Sequence, residues 1–443
     1  MWLDKRKAFG NIFLARIPIL VVTLGDEEAI RWLWMNDRKH YTEVTWPPSF
    51  SKLLGPGSLS NTTGVHHKTL RRIMEPFFAP NFTRNYVAVF DQTTQQELEK
   101  WCCQPDFLAS NVFKLYSLRM FLVASFGAAD EDALNELSND FQTWLAGFMS
   151  LSLDMRIPGM AFDAAMKARD RILNRVDAMI DEFAQKHPVE SEKAQNTIIG
   201  RMIYATDEMG NTLTRQERQD NTLLLLFAGK YLLWWHKLES MLARFYNWRN
   251  AVFSGHDTTF ASMSTMIHHI SKNPEIEKAL IEEIASFKLP LDFDELKNAP
   301  VLNAVMYESW RIDPPITTVF RKSTRNLEYK GYTFPEGTTF HTQLALAAND
   351  ETVFRDAQNE FKIQRFLPED HHLADPHWFI NTQGAFSIFD GGGHVCLGKS
   401  FAQLELRVLL ANMYAKYKVG VRNDRQIYFP IYGWSVDFKL TKK

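Results

Sequence analysis

Cysteine is scarce: the 443-residue chain holds three, Cys102, Cys103 and Cys396. Two sequence neighbours and one distant residue provide neither a disulfide framework nor a CxxC zinc pattern, and Cys102 and Cys103 read as ordinary helix packing. Basic runs are missing too. With a formal charge of −2 and no Lys/Arg block, nothing points to nucleic acid. Long apolar runs are also lacking, and no secretory signal is evident. The stretch Thr222 to Trp235 is interrupted by Lys230 and falls short of the roughly 20 residues a bilayer span needs. There is no internal repeat and no low-complexity linker. What is abundant is apolar mass. Hydrophobic residues make up 45% of the chain and phenylalanine alone occurs 33 times, enough for a large core.

Length alone allows two or three domains, or one large helical domain with a small β portion. The segment to about Thr63 mixes strands with short helices, and Ile17-Pro18-Ile19-Leu20-Val21-Val22 reads as a strand. Helical periodicity dominates from His66 to Ile284, broken near Pro105, Pro158, Pro188 and Pro274. Leu327-Glu328-Tyr329 and Tyr332-Thr333-Phe334 form a predicted hairpin turning at Lys330-Gly331. The chain then reads as irregular to Pro376 and closes in strand-like pieces, Ile427-Tyr428-Phe429 and Val436-Asp437-Phe438. The layout predicts a mainly α protein with a minor β portion (α+β), one domain over residues 1–443 with small sheets toward the N-terminal side.

The third cysteine stands in Phe389-Asp390-Gly391-Gly392-Gly393-His394-Val395-Cys396-Leu397-Gly398. Glycines there allow φ > 0 and close approach to a flat partner. A helix follows, with Leu397, Phe401, Leu404 and Val408 at helical spacing. A thiol at a helix N-terminus faces amide N–H groups, which favours thiolate, and a thiolate on an amide-lined turn suits haem iron as an electron-donating axial ligand. A buried structural cysteine is the bland alternative, and the ordered run of aromatic, glycines, basic residue, cysteine and glycine argues against it. The run resembles the haem-ligand loop of the cytochrome P-450 superfamily: Phe, Gly, any, Gly, any, Arg or His, any, Cys, any, Gly. Phe389, Gly392, His394, Cys396 and Gly398 match; Asp390 stands where glycine is usual.

The resemblance implies roles for further residues. Glu308 and Arg311, three apart on a helix before Pro314-Pro315, match the family's ExxR pair, a buried ion pair bracing the ligand loop, with Arg365 as third partner. Such a pair needs extra hydrogen bonds to offset desolvation. His67 and Arg71 match positions that reach a haem propionate, histidine replacing the usual tryptophan, and Arg321 and His394 match two more. Asp257 and Thr258 match the acid–alcohol pair that relays protons during oxygen activation; a helix N-cap is the plain alternative for them.

That last motif is interrupted. Ala228-Gly229 and His256-Asp257-Thr258-Thr259 become one unbroken match only if residues 230–255 are removed, and these are rich in Trp, Tyr and Arg, unlike their flanks. Gly229-Lys230-Tyr231 can be encoded by GGTAAGTAT, which contains a splice donor, and Phe253-Ser254-Gly255 by TTTTCAGGN, which contains an acceptor. Residues 230–255 are therefore read as a translated retained intron, with a genuine inserted loop as the competing reading. Either way the insertion is expected to break the central helix and displace Asp257 and Thr258.

The implied activity is that of a haem-thiolate monooxygenase: iron protoporphyrin IX on the Cys396 thiolate, O₂, and electrons from NADPH through a reductase, or from a ferredoxin. The electron donor is expected near the cysteine loop, where Lys399 and Arg407 lie. Trp46-Pro47-Pro48, Leu53 to Asn61 and His67-Lys68 look like the retinoic-acid hydroxylase and sterol hydroxylase group, which implies an isoprenoid- or sterol-like substrate in a pocket that includes Trp46, Pro48, Ile316, Thr317 and Val319. Microsomal members carry an N-terminal anchor and a proline-rich hinge. Neither precedes the first strand here, so the expectation is a truncated gene model with the endoplasmic reticulum membrane as its site, or else a cytoplasmic protein. The alternatives are a haem-thiolate isomerase or dehydratase, a non-catalytic haem- or lipid-binding protein, or an isoform impaired by the 230–255 insertion.

Overall fold

Local chemistry sets the Glu27–Arg38 helix. Asp26 caps it by accepting from the Ala29 N–H at 2.8 Å, Glu27 and Glu28 sit in the first turn, and Ile30, Leu33 and Trp34 form the buried stripe. In this computed structural model the described residues are 2–17, 19–46, 48–110, 112–127, 131–149, 156–229, 256–350, 353–354, 360–367, 386–427 and 432–443. Most of them are helical.

The strands fall into three small sheets. The largest orders Ile12–Ile17, Ile19–Leu24, Thr339–Thr342, Phe320–Ser323 and Thr42–Val44. Ile17 to Val22, read from sequence as one strand, is instead divided between two antiparallel strands, Ile17 ending the first and Ile19 opening the second, since a proline has no N–H to continue a ladder. Val22 pairs in parallel with Phe340, so the N-terminal hairpin is tied to the chain's last third rather than standing alone. A second sheet joins Leu108–Ala109, Gly433–Lys442 and Tyr417–Ile427. The predicted hairpin forms as read, with φ of 49° at Lys330 and 80° at Gly331, the left-handed pair of a tight two-residue turn.

Helices supply the core. The Lys399–Lys416 helix is buried nearly all round from Phe401 to Tyr414, as befits a central helix. Phe401 packs edge-on against Phe78, Tyr86 and Phe90. The Arg215–Gly229 and His256–Lys272 helices flank residues 230–255, which lie outside the described residues. Among the described residues no helix is long and apolar enough to cross a membrane.

Candidate functional site

One apolar cavity collects most of the sequence-flagged residues. It encloses about 330 Å³, within the roughly 300–1,000 Å³ of a single small-molecule site. Cys396, Gly398, His394 and Phe389 line one part, His67, Arg71 and Arg321 another, and Thr258, Trp46, Ile316 and Val319 the rest. Thr317 is not among the lining residues. Its carbonyl instead accepts from Ala345 N at 3.4 Å. Pro48 opens the Pro48–Leu54 helix and Asp257 belongs to the His256–Lys272 helix, but both side chains lie outside the described residues.

The cysteine turn is held by its backbone. Cys396 N–H donates to the Phe389 carbonyl at 2.8 Å. A Cβ on Gly391 would meet the Trp34 indole at 2.4 Å, and one on Gly392, at φ 69°, would meet Asp37 Oδ2 at 2.4 Å. These two glycines are there because a helix face presses on the loop. Cys396 is exposed toward the cavity. Desolvation works to push the thiol pKa up, partly offset by the Gly398 N–H and Arg71, and a metal bound there would displace the proton.

The brace beneath the loop is complete. Arg311 forks onto Glu308 at 2.7 and 2.8 Å, and both side chains are fully buried. Glu308 also accepts from Lys362 N at 2.9 Å and lies 3.4 Å from Arg365 Nε. Trp310, between them, donates to Ser262 Oγ at 2.8 Å and meets Phe389 edge-on at 5.1 Å, so one indole links the cysteine loop to the helix across the cavity. Sequence reading passed over Trp310, although its place inside the ExxR motif was a usable signal.

The basic groups are less free than expected. Arg71 donates to the Val395 carbonyl at 2.8 Å. His67 packs against His394 in a tilted ring pair with centroids 4.4 Å apart, and burial, then the neighbouring His394 and Arg71, push its pKa down to about 3. Arg321, 1% exposed, donates to Asp37 at 3.1 Å and to both oxygens of Asp390 at 2.8 Å. Asp37 also accepts from Thr42 Oγ1, Gly393 N and His394 Nδ1. Burial works to raise its pKa, but His394, Arg321 and Gly393 outweigh it and hold the carboxyl well below the ordinary range. Asp37 escaped the sequence reading, yet it sits seven residues after Ile30 and three after Trp34, a carboxylate on the apolar stripe.

One expectation is corrected. Arg407 is buried and donates to Asn303 at 2.9 Å, so it presents no open charge for an electron donor. Lys399 is half-buried, over the Phe389 ring at 5.5 Å, with its pKa lowered by burial. Thr258 lines the cavity. Its helix is pinned by buried Ala261, Met263, Met266 and Ile267, and Thr265 Oγ1 accepts from Trp434 N at 3.1 Å.

The residues fit an iron porphyrin. A thiol faces a large apolar cavity, and at the basic end His394 Nε2 is buried without a hydrogen-bond partner. Residues 247–439 match the family model described as Cytochrome P-450. A taxane 13-alpha-hydroxylase of Taxus cuspidata is 27% identical over 92% of this chain and 78% of its own. Abscisic acid 8'-hydroxylase 4 of Arabidopsis thaliana is 23% identical over 96% and 82%. The structure titled "Retinoic acid bound cyanobacterial CYP120A1" superposes with a TM-score of 0.81 at 23% identity, covering 99% of this chain and 94% of that one. A cysteine turned into such a cavity, a family match over residues 247–439, a sequence similar to these hydroxylases along nearly its whole length and the fold of the CYP120A1 structure place this chain in the cytochrome P-450 superfamily of monooxygenases.

Proposed function

We propose that the chain inserts one atom of O₂ into a C–H bond of a lipophilic, isoprenoid- or sterol-like substrate. The observation that carries this is a single apolar cavity walled at once by Cys396 and by Thr258, Thr259 and Ser262. The haem that the family implies supplies the O₂ and one-electron chemistry when bound. The chain's own residues do the rest. Cys396 would be the axial thiolate, and Arg71, His67 and His394 would hold the propionates. Thr258, with Asp257 beside it in sequence, would pass protons at its hydroxyl. Trp46, whose indole donates to the Ser60 carbonyl at 2.9 Å, stiffens the loop that walls the substrate side with Leu59, Ile316 and Val319. Such a lining offers shape and apolar contact and few polar anchors, which suits a rigid hydrocarbon skeleton. The compounds in the relatives' titles (taxane and abscisic acid for hydroxylases, retinoic acid as a bound molecule) support that class. Electrons would come from NADPH through a reductase, or from a ferredoxin.

The test is the reduced, CO-bound difference spectrum with product analysis. The expected result is a Soret band of a thiolate-ligated ferrous–CO complex that disappears in Cys396→Ser. An unaltered spectrum in Cys396→Ser refutes the assignment. Product formation without O₂ or reductant would favour an isomerase instead.

Residues 230–255 bear on the same site. We retain the reading of a translated intron, because its removal joins Gly229 to His256 and gives Ala-Gly-His-Asp-Thr-Thr. The shortened chain is expected to bind haem more tightly and turn over faster. Equal turnover by both chains, or a mature message that always contains the segment, overturns it.

A further inference from the structure

The residue that breaks the cysteine-loop pattern is also the one that occupies a supposed propionate ligand. Asp390 stands at φ 64°, in the left-handed region, which aspartate tolerates better than most residues. Its carboxylate accepts from Gly391 N at 2.8 Å and from Arg321 Nη2 through both oxygens at 2.8 Å. Arg321 has five N–H groups. Nε is given to Asp37, both Nη2 hydrogens face Asp390, and Nη1 donates to the Phe320 carbonyl at 3.0 Å. One N–H of Nη1 is left for any other acceptor. One guanidinium is thus shared by two carboxylates, and Asp390 and Arg321 both line the cavity beside His394 and Arg71.

We propose that Asp390 is a positioning residue that withholds Arg321 from the cofactor and leaves a fixed negative charge at the propionate end of the cavity. The porphyrin carboxylates are then held by Arg71, His67 and the unpartnered Nε2 of His394. Two consequences follow, both resting on the haem reading above. A fixed anion near the iron favours the oxidised over the reduced state, because local charge and hydrogen bonding set haem potentials. Cofactor retention is also weaker than with a free arginine fork, the strongest carboxylate ligand available to a protein.

Two variants separate charge from backbone. Asp390→Asn keeps a side chain that tolerates φ > 0 and removes the charge; Asp390→Gly removes both the charge and the constraint. On the haem-loaded full chain, midpoint potential is measured by spectroelectrochemistry and haem loss by transfer to an apo-acceptor. Both variants are expected to raise the potential, and both to slow haem loss by about tenfold, the scale of one charge-assisted hydrogen bond. Unchanged potentials in both variants overturn the proposal, as does a shift in Asp390→Gly alone, which would assign the effect to the backbone. The wild-type ferrous–CO spectrum distinguishes the two levels. A thiolate signature with indifferent variants removes only this inference, whereas a wild type that takes up no haem removes the haem reading as well.

Discussion

Glu308→Ala should be among the costliest single truncations in this chain. Glu308 and Arg311 are both fully buried, and the carboxylate takes the two short bonds of the guanidinium fork, 2.7 and 2.8 Å. Removing it takes the carboxylate away from a buried cation whose other acceptors include only weaker, neutral ones among the described contacts: Asn349 Oδ1 at 2.9 Å and the Ala348 and Glu360 carbonyls at 3.5 Å. An orphaned buried charge costs about 3–5 kcal/mol. Lys362 N also loses its acceptor, which keeps the figure at the upper end. Arg365→Ala makes the comparison. Arg365 reaches Glu308 at 3.4 Å and leaves the main pair intact, so its loss should cost about 1 kcal/mol. Glu308→Leu combined with Arg311→Met removes both charges of the main pair, costing Arg365 only its 3.4 Å contact, and should recover at least about 1 kcal/mol relative to Glu308→Ala. Urea unfolding of the haem-free chain, followed by tryptophan fluorescence, reads all three through midpoint and slope. The reasoning is refuted if Glu308→Ala lies within about 1 kcal/mol of Arg365→Ala.

Three further outcomes are expected. Glu405 is buried in the Lys399–Lys416 helix with Oε1 unpartnered, and burial pushes its pKa up to about 8 despite the Ser117 hydrogen bond. An acid with a raised folded pKa contributes stability that is full below about pH 4.5 and falls as pH rises toward 8, so Glu405→Gln should flatten that limb, worth on the order of 4 kcal/mol; an equally steep limb in the variant refutes the assignment. Gly392→Ala should destabilise the cysteine turn by about 2–3 kcal/mol and cut haem uptake, since its Cβ meets Asp37 at φ 69°. Gly393→Ala, whose Cβ meets nothing nearer than 3.5 Å, should cost under about 1 kcal/mol, and equal effects would discard the packing argument. Trp310→Phe keeps the ring against Phe389 but deprives Ser262 Oγ of its indole donor. It should cost about 1 kcal/mol in urea, and no change would show that this hydrogen bond contributes nothing.

Short-range patterns were legible because their physics is local. The hairpin at Lys330-Gly331 needed only turn residues between alternating runs, and the brace needed only a carboxylate and a guanidinium one helical turn apart before a proline stop. The single strand read from Ile17 to Val22 failed at Pro18, which has no N–H for a ladder: Val22 pairs locally with Leu14 across a hairpin, and only its parallel partner, Phe340, lies beyond any local window. Arg407 was taken as a surface charge because helical spacing does not say which flank a neighbouring element will cover.

The sequence by itself determined the class of protein. The cysteine in a glycine-rich, basic-flanked turn before an apolar helix carried the resemblance to the family, and the helical period of the flanks carried the fold class. Only the tertiary structure decided what surrounds that cysteine. Asp37, from a helix over 350 residues upstream of the cysteine, presses on the loop's glycines and meets Arg321 and His394 there. The charge a cofactor meets is a sum over groups that folding brings together, and no distance along the chain encodes that sum.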